Sequence, residues 1–447
     1  MVQKTPLWIK DPLAILATGA ERGLVVQGAT ILECVPAGAA PHTPGCAVFD
    51  ASRHVVLPGL VNAHHHFYQT LTRAHPAAIN KALFPWLQAL YPIWARLKPD
   101  AFRVAVRLAL VELMMSGCTT AADHHYLFPA AMREAIDIEV EEARALGLRM
   151  TVTRGSMNLS QKDGGLPPDH VVQDEETILI DSERVLNRYH EAGPGAFIQI
   201  GLAPCSPFSV TRGLMEKSAA LARRFDCPLH THLAETLDEE AFALHAYGCR
   251  PIEILEQTGW LDPRVWLAHG IHFTDADIGV LGRHGVGVCH CATSNMLLAS
   301  GLCRTKELEA AHAPVGLGVD GSASNDSSNM MEAVRHALLA ARLRYGADAV
   351  THLDALRWAT EGSARCLSRT DIGRIAPGLQ ADLALYTLDE PRFSGAHDPL
   401  AALVLCGAHR ADRVMIGGVW RVLDGMPVGV DLAALMREHA RAALTFA

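Results

Sequence analysis

Short apolar segments alternate with longer amphipathic segments through the central part of the chain. The apolar segments are candidate strands, and they lie at residues 55–62, 119–124, 149–154, 197–203, 228–233, 265–268, 286–289 and 314–319. Helix-forming residues recur at helical spacing at 101–116, 130–146, 174–191 and 214–225. Strands that alternate with helices in this way form parallel sheets. The pattern predicts an α/β protein built on an eight-stranded (β/α)8 barrel, the TIM barrel.

The two ends of the chain show a different pattern. Short apolar runs at 23–27, 47–49, 381–386 and 414–416 are separated by glycine and proline, and Gly417-Gly418 is typical of a hairpin turn. We predict that residues 1–57 and 375–447 together form one small β-sandwich domain, beside a barrel over residues 58–374. The length of 447 residues agrees with this division, because a simple barrel needs only about 250.

Composition and charge exclude several classes of protein. The chain is 49% hydrophobic and 19% charged, which is the balance of a soluble globular protein, and no apolar stretch has the length of a membrane span. The first residues lack the apolar region and cleavage site of a signal peptide, and 11 cysteines without a C-x-x-C pair are typical of reduced cytosolic thiols. A net charge of -9 argues against nucleic acid as a partner. We therefore expect a cytoplasmic protein.

Three consecutive histidines follow the first candidate strand directly. Residues two apart in a strand share a face, so His64 and His66 point together into the barrel while His65 points away. Neutral imidazoles suit Zn²⁺, and they suit Fe²⁺ as well. His65, His124 and His125 either orient ligands or face solvent. The alternative, a loop with incidental histidines, does not explain the further ligands at later strand ends.

The fifth candidate strand supplies two more histidines and a carboxylate. His232 is closer to the strand end and is the predicted metal ligand, while His230 is either a competing ligand or a core histidine. On this interpretation, substitution of His230 changes little, whereas loss of His232 removes the metal. Glu235 then lies beside the metal as a proton-transfer group, or else belongs to an exposed acidic run at the start of a helix.

The sixth and eighth candidate strands end in His269 and Asp320. Asp320 can bind the metal and accept a proton from water, and His269 can polarise water or a carbonyl oxygen. The predicted ligands of one metal ion are therefore His64, His66, His232 and Asp320, and the predicted catalytic residues are Glu235, His269 and Asp320.

These motifs resemble the amidohydrolase superfamily, in particular its adenosine, cytosine and guanine deaminase-like branch. The resemblance rests on His64-x-His66 after Pro58-Gly59, on His232-x-x-Glu235, on His269 and on Asp320, and it covers nearly the whole chain. Residues 373–383 resemble the return of that family into its β domain. The resemblance implies a hydrolytic aminohydrolase in which Asp320 takes a proton from water, Glu235 protonates a ring nitrogen and His269 stabilises the attacking oxygen. It also implies a homo-oligomer, such as a dimer.

The end of the fourth candidate strand bears on the number of metal ions. Binuclear members of the superfamily place a carboxylated lysine there, and residues 201–207 contain no lysine, which favours one metal. Cys289-His290-Cys291 does not provide a second zinc site, because strand alternation directs the cysteines to one side and the histidine to the other.

The substrate implied by the resemblance is a small purine. Residues 64–76 and 86–92 are most similar to bacterial 8-oxoguanine deaminases, and residues 154–157 and 164–168 also resemble hydroxyatrazine-type aminohydrolases. The implied reaction converts 8-oxoguanine and water to urate and ammonia, with guanine, an adenosine derivative or a hydroxylated s-triazine as alternative substrates. A catalytically silent barrel that serves as a scaffold is an alternative of another class, but every expected ligand is present. The candidate substrate contacts are Gln69, Trp86, Tyr126, Arg154 and Cys205, with Tyr91 as a further aromatic candidate.

Overall fold

Three sheets organise the chain, of which the computed structural model describes residues 3–447. Six strands come first: β1 Gln3–Lys10, β2 Ala14–Ile15, β3 Gly23–Gly28, β4 Thr30–Cys34, β5 Ala47–Asp50 and β6 His54–Pro58. The next eight form the central sheet: β7 Leu60–Asn62, β8 Cys118–His125, β9 Arg149–Ser156, β10 Ile198–Pro204, β11 Leu229–Leu233, β12 Val265–His269, β13 Gly287–His290 and β14 Val315–Leu317. Four strands follow: β15 Leu383–Thr387, β16 Arg413–Ile416, β17 Val419–Leu423 and β18 Met426–Pro427.

The central sheet is a parallel barrel. Its strands lie side by side in chain order, and each neighbouring pair is parallel. The amide of Ala63 donates to Leu317 O at 3.0 Å, and the amide of Asp320 donates to His64 O at 3.0 Å, so the first and last strands meet at their carboxyl ends. The predicted (β/α)8 barrel and the order of its eight strands are confirmed.

Helical segments connect the barrel strands and surround the barrel. The α-helices are α1 Leu83–Trp94, α2 Pro99–Met115, α3 Ala135–Leu146, α4 Glu175–Tyr189, α5 Arg212–Phe225, α6 Leu237–Tyr247, α7 Pro251–Gln257, α8 Asp275–His284, α9 Ala292–Leu297, α10 Thr305–Ala310, α11 Met330–Tyr345, α12 His352–Arg357, α13 Ser363–Cys366, α14 Pro399–Leu405 and α15 Leu432–Ala443. Short 3₁₀ turns occupy Phe67–Thr72, Gln161–Asp163, Asp169–Val171, Pro391–Phe393 and Leu444–Phe446, and a π turn occupies Trp358–Gly362. Among the helices within residues 3–447, none is long and apolar enough to cross a membrane.

The two ends of the chain share a β-sandwich. One sheet has the order β4-β3-β1-β5, and the other has the order β18-β17-β16-β15-β6-β2, in which β6 pairs antiparallel with β15. Apolar side chains of both sheets form one core, including Ile9 and Leu24 from the first and Val56 and Leu385 from the second. Gly417-Gly418 joins β16 to β17 in the predicted hairpin. The first two residues of the predicted 1–57 segment lie outside the described residues, and the boundaries at 57/58 and 374/375 stay predictions.

The candidate strand at 55–62 is two strands, which corrects the prediction. His54–Pro58 pairs with β15 of the sandwich, and Leu60–Asn62 pairs with β8 of the barrel. The chain changes sheets at Gly59, where a Cβ atom would lie 2.1 Å from Oγ1 of Thr119. All the residues of both strands are buried, so the apolar pattern runs on without a break.

Buried polar contacts attach the ends of the chain to the barrel. Arg149 of β9 donates from Nε to Asp382 Oδ2 at 2.8 Å and from Nη2 to Gln380 Oε1 at 2.7 Å. On α15, Nε2 of His439 lies 3.0 Å from Oγ1 of Thr70, in the turn that follows the histidine motif. The terminal segments therefore contact elements that carry the site.

Candidate metal centre and substrate pocket

The four predicted ligands converge at the carboxyl end of the barrel. His64 and His66 follow β7, His232 lies in β11, and Asp320 follows β14. Nε2 of His66 lies 3.2 Å from Nε2 of His232, and Oδ1 of Asp320 lies 3.3 Å from Nε2 of both His64 and His66. All four side chains are buried.

Backbone carbonyls fix the tautomers of two of these histidines. Nδ1 of His66 lies 2.8 Å from the carbonyl oxygen of His124, and Nδ1 of His232 lies 2.6 Å from that of Cys205. A carbonyl oxygen only accepts, so each Nδ1 carries the proton and donates. In the neutral rings, both Nε2 atoms therefore present lone pairs to each other at 3.2 Å, an arrangement that calls for a cation between them.

His230 fixes the tautomer of His64 in the same way. Nδ1 of His230 lies 2.8 Å from the carbonyl oxygen of Trp266 and must donate to it, which leaves Nε2 of His230 as an acceptor. That atom lies 2.7 Å from Nδ1 of His64, which therefore donates. Nε2 of His64 is left bare, buried and without a hydrogen bond of accepted geometry among the described residues. His230 thus contacts His64, and both of its nitrogens are engaged.

Three bare imidazole nitrogens and a carboxylate oxygen fit a divalent metal ion. Burial opposes ionisation of Asp320, but His64 and His66 lie so close that they hold the pKa of its carboxyl well below the ordinary value. His124, which the sequence left without a catalytic role, belongs to the same group of potential ligands, with its ring stacked on His232 at 4.7 Å between centroids. The donor set supports a metal ion at this position.

A buried acid lies beside the metal centre. Oε2 of Glu235 is 3.4 Å from Nε2 of His269, and Oε1 of Glu235 has no hydrogen-bond partner among the described residues. Burial, together with the negative charge of Asp320, raises the pKa of Glu235 well above its ordinary value. Nδ1 of His269 lies 3.0 Å from Oδ1 of Asn295, a residue that no sequence signal indicated. Glu235 is thus not the exposed helix-start carboxylate of the alternative interpretation.

Two of the site residues have strained backbones. His269 has a φ of 74° and Asp320 a φ of 66°, in the left-handed region that side chains other than glycine rarely adopt. Strain of this kind persists where the surrounding structure imposes it, and it is concentrated at functional sites. His269 is the last residue of β12, and Asp320 lies in the segment that follows β14.

A pocket of about 390 Å³ opens beside these residues. Four predicted substrate contacts line it, namely Gln69, Trp86, Tyr126 and Cys205, and so does Tyr91. Nε1 of Trp86 donates to the carbonyl oxygen of Ala323 at 3.2 Å, which anchors the indole in the pocket wall. Sequence reasoning missed further lining residues, namely Leu83, Leu87, Phe208, Leu298 and Ser324. Apolar residues in loops and helices carry no pattern that distinguishes a pocket wall from a core.

Arg154 does not line the pocket. Its Nε donates to Asp181 at 2.9 Å, its Nη2 donates to Gln173 at 2.8 Å, and its guanidinium lies 3.9 Å from the ring centroid of Phe128. The Arg154 side chain is buried, and these contacts hold it between β9 and the helix layer.

The Cys289-His290-Cys291 segment is buried as well. Nδ1 of His290 lies 3.2 Å from the side-chain nitrogen Nδ2 of Asn295. Cys291 lies near His64 and His269. Burial raises the pKa of the Cys291 thiol well above its ordinary value, which disfavours the thiolate that would bind a metal.

A parallel barrel that gathers histidines, an aspartate and a buried acid at its strand ends defines the class of metal-dependent hydrolases. Residues 55–421 match the model of the Amidohydrolase family, and the chain belongs to this family.

Similar proteins agree with this assignment. The chain is 61% identical to an 8-oxoguanine deaminase of Pseudomonas aeruginosa over 98% of both chains. It is 35% identical to a hydroxydechloroatrazine ethylaminohydrolase of Pseudomonas sp. strain ADP, over 94% of this chain and 92% of the relative. Among solved structures, an atrazine chlorohydrolase of Arthrobacter aurescens TC1 complexed with zinc is similar with a TM-score of 0.92 and 30% identity, over 98% of this chain and 100% of the other. The resemblance stated from the sequence is confirmed.

Proposed function

We propose that this chain hydrolyses 8-oxoguanine to urate and ammonia. The observation that carries the reaction is Glu235, a buried carboxyl with a raised pKa beside a metal centre, in a pocket lined by aromatic rings. The substrate is taken from the relative that is 61% identical over nearly the whole chain.

We assign one Zn²⁺ ion to His64, His66, His232 and Asp320. A metal ion held by these residues would lower the pKa of water toward about 7 and so would supply a nucleophile at neutral pH. Zinc is preferred to iron because the similar atrazine chlorohydrolase is complexed with zinc. His66 and His232 need no reorientation to serve as ligands, since their Nδ1 protons are already engaged with carbonyl oxygens.

The remaining residues move protons. Asp320 accepts a proton from the attacking water, and Glu235 donates its proton to the ring nitrogen next to the amino-bearing carbon. Asp320 then passes its proton to the amino group, and the C–N bond breaks with its electron pair leaving on ammonia. The hydroxyl oxygen becomes the new carbonyl oxygen as its proton goes to Glu235, so both carboxyl groups return to their starting state. His269 has its Nδ1 proton directed to Asn295, so its Nε2 becomes a donor to the oxygen only after taking up a proton.

The pocket wall suits a flat ring with polar edges. Trp86 and Tyr126 offer apolar surface to the ring face, and Oε1 of Gln69 accepts a hydrogen bond from Ala323 at 3.3 Å. The side-chain amide nitrogen of Gln69 lies 3.5 Å from the Tyr68 hydroxyl, which is long for a hydrogen bond. This nitrogen can therefore donate to a carbonyl oxygen of the substrate. A cytoplasmic location, a homo-oligomeric state and the absence of nucleic acid partners belong to the same proposal and rest on composition and resemblance.

Ammonia release from a panel of substrates tests the proposal. The panel contains 8-oxoguanine, guanine, isoxanthopterin, 5-methylthioadenosine and a hydroxylated triazine, and we expect the highest kcat/KM with 8-oxoguanine. His232→Ala, which removes one proposed ligand, is the control that ties turnover to the metal centre. Equal turnover of guanine, or activity on the triazine alone, would refute the proposed substrate.

A further inference from the structure

Strand β8 and helix α3 bury a second group of potential metal ligands outside the pocket. Asp123 and His125 alternate with His124 along β8, so they face away from the barrel interior, toward the helix layer. Glu139 extends from α3. One ligand atom of each of the three residues lies within 4.8 Å of the others, and all three residues are buried.

Most polar atoms of this group lack partners. Oδ2 of Asp123, both carboxylate oxygens of Glu139 and both ring nitrogens of His125 have no hydrogen-bond partner of accepted geometry among residues 3–447. Oδ1 of Asp123 alone is satisfied, since it accepts from the Phe67 amide at 2.7 Å. Proteins rarely leave buried polar atoms unpaired, because such an atom gives up its hydrogen bonds to water and gains none in return. So many in one place call for a missing partner.

The charge of the group points to a cation. Within the described chain, neither Asp123 nor Glu139 forms an ion pair with lysine or arginine, and the two carboxyl groups lie within hydrogen-bond reach of each other. Burial raises the pKa of Asp123 to about 7 and that of Glu139 well above its ordinary value. A proton shared between the two carboxylates would remove one charge. It would still leave at least one ring nitrogen of His125 without a partner among the described residues.

Aromatic rings surround His125, and the backbone of Leu127 is a further polar neighbour of its ring. The ring centroids of Phe102 and Phe128 lie 4.5 and 4.9 Å from that of His125, and Tyr68 packs against it edge-on at 5.8 Å. Burial lowers the pKa of His125 to about 3, so the imidazole is neutral, which is the form that binds metals.

We propose that Asp123, His125 and Glu139 bind a second divalent metal ion with a structural role between β8 and α3. The ion neutralises both carboxylates and gives an imidazole nitrogen its partner. Two carboxylates and one imidazole suit Zn²⁺ or Mn²⁺. Through Oδ1 of Asp123 the site also holds the Phe67 amide, directly after His66, so the ion would stiffen the wall behind the metal centre.

Anomalous diffraction from crystals of the full-length protein tests the inference. The protein is stripped with a chelator, reloaded with ZnSO₄ or MnCl₂, and its metal content is measured in solution. We expect two peaks in each chain of the wild-type protein. Glu139→Gln, which keeps the shape of the side chain, should lose only the peak between β8 and α3, and His232→Ala should lose only the peak in the pocket.

A wild-type map with a peak in the pocket alone, for both metals, would overturn the inference, and the two carboxylates would then share a proton. A second peak that survives Glu139→Gln would also contradict the three-residue site. The wild-type map decides the matter even if the variant fails to fold. The proposed deaminase activity is independent of this result, because the panel assay measures turnover, and Glu139 does not line the pocket.

Discussion

Each histidine of the metal centre is held by a hydrogen bond at its second ring nitrogen. The carbonyl oxygens of His124 and Cys205 hold His66 and His232, and His230 holds His64. Such contacts fix the tautomer and the ring orientation before a metal arrives, and they raise the basicity of the ligand. The role of His230 revises the expectation from the sequence that its substitution changes little.

Removal of the acceptor at position 230 should weaken metal binding. In His230→Phe, the buried Nδ1–H of His64 loses its acceptor, and we expect zinc affinity to fall about 10- to 100-fold. Competition with a chromophoric chelator measures this change. His230→Gln keeps an acceptor at a similar reach and should restore most of the affinity. Equal affinities for wild-type and His230→Phe would show that this hydrogen bond contributes nothing.

Glu235→Gln separates proton transfer from metal binding. The amide preserves the shape of the side chain but cannot deliver a proton, so we expect kcat to fall by about 10²- to 10⁴-fold. Metal content should stay the same, because Glu235 is not among the assigned ligands. Steady-state ammonia release and elemental analysis of the same sample provide the two measurements. A variant with a near-normal kcat would remove Glu235 from the mechanism.

The sequence predicts which of these side chains come together only where the geometry of a strand determines it. Alternation along a strand was enough to bring His64 and His66 to one side. The contact between His230 and His64 depends on ring rotation, and the engagement of Arg154 depends on Asp181, which lies on α4 and is distant in sequence. His125 was expected to orient ligands or face solvent, but it is buried in the helix layer, because β8 is covered on both faces.

The sequence predicts the order of the strands and helices better than the residues at which they begin and end. The order of the eight barrel strands was predicted correctly because each is an apolar segment that is followed by a helix. The helix predicted over 130–146 begins only at Ala135, since residues 129–135 form successive tight turns that carry the same apolar residues. The change of sheet at Gly59 was invisible, because both flanking strands are buried and continue one apolar run.

Acid should weaken the attachment of helix α15 to the rest of the protein. Burial, together with the positive charge of Arg73, lowers the pKa of His439 to about 4, against about 6.5 in an unfolded chain. As pH falls below 6.5, the unfolded state takes up a proton that the folded state does not. Stability therefore falls between pH 6.5 and 4, with about 2 kcal/mol from this residue lost by pH 5.

Urea denaturation at a series of pH values measures this contribution. His439→Gln can keep a hydrogen bond to Thr70 but does not titrate, so its stability should decline less between pH 7 and pH 5 than that of the wild-type protein. Parallel curves for the two proteins would mean that protonation of His439 does not affect folding.

For the whole molecule, the sandwich and the barrel are joined through buried charge. Arg149 and Asp382 are each about 2% exposed at the side chain, and Oδ1 of Asp382 also accepts from the Gly417 amide at 2.7 Å. The sequence placed the two ends of the chain in one domain by their similar strand patterns. It gave no sign of this pair, which connects residues more than two hundred positions apart.

Asp382→Asn should destabilise the whole chain. The substitution leaves the buried guanidinium of Arg149 without its counter-charge, and we expect a loss of about 3–5 kcal/mol in the free energy of unfolding. Tryptophan fluorescence during urea denaturation measures it. Asp389→Asn breaks the exposed pair with Arg53 and is the matched control, with an expected loss below about 1 kcal/mol. Similar losses for the two variants would contradict a coupling role for the buried pair.

The passage of the chain from one sheet to the other at Gly59 constrains how this protein can be recombined with its relatives. β6 of the sandwich and the His64-x-His66 motif are separated by only a few residues, and Gly59 fits closely against Thr119 of β8. A chimera that joins a foreign sandwich to this barrel at that point would place the junction beside the ligands. Exchanged segments should therefore keep residues 54–66 together with β8 and β15 from one parent.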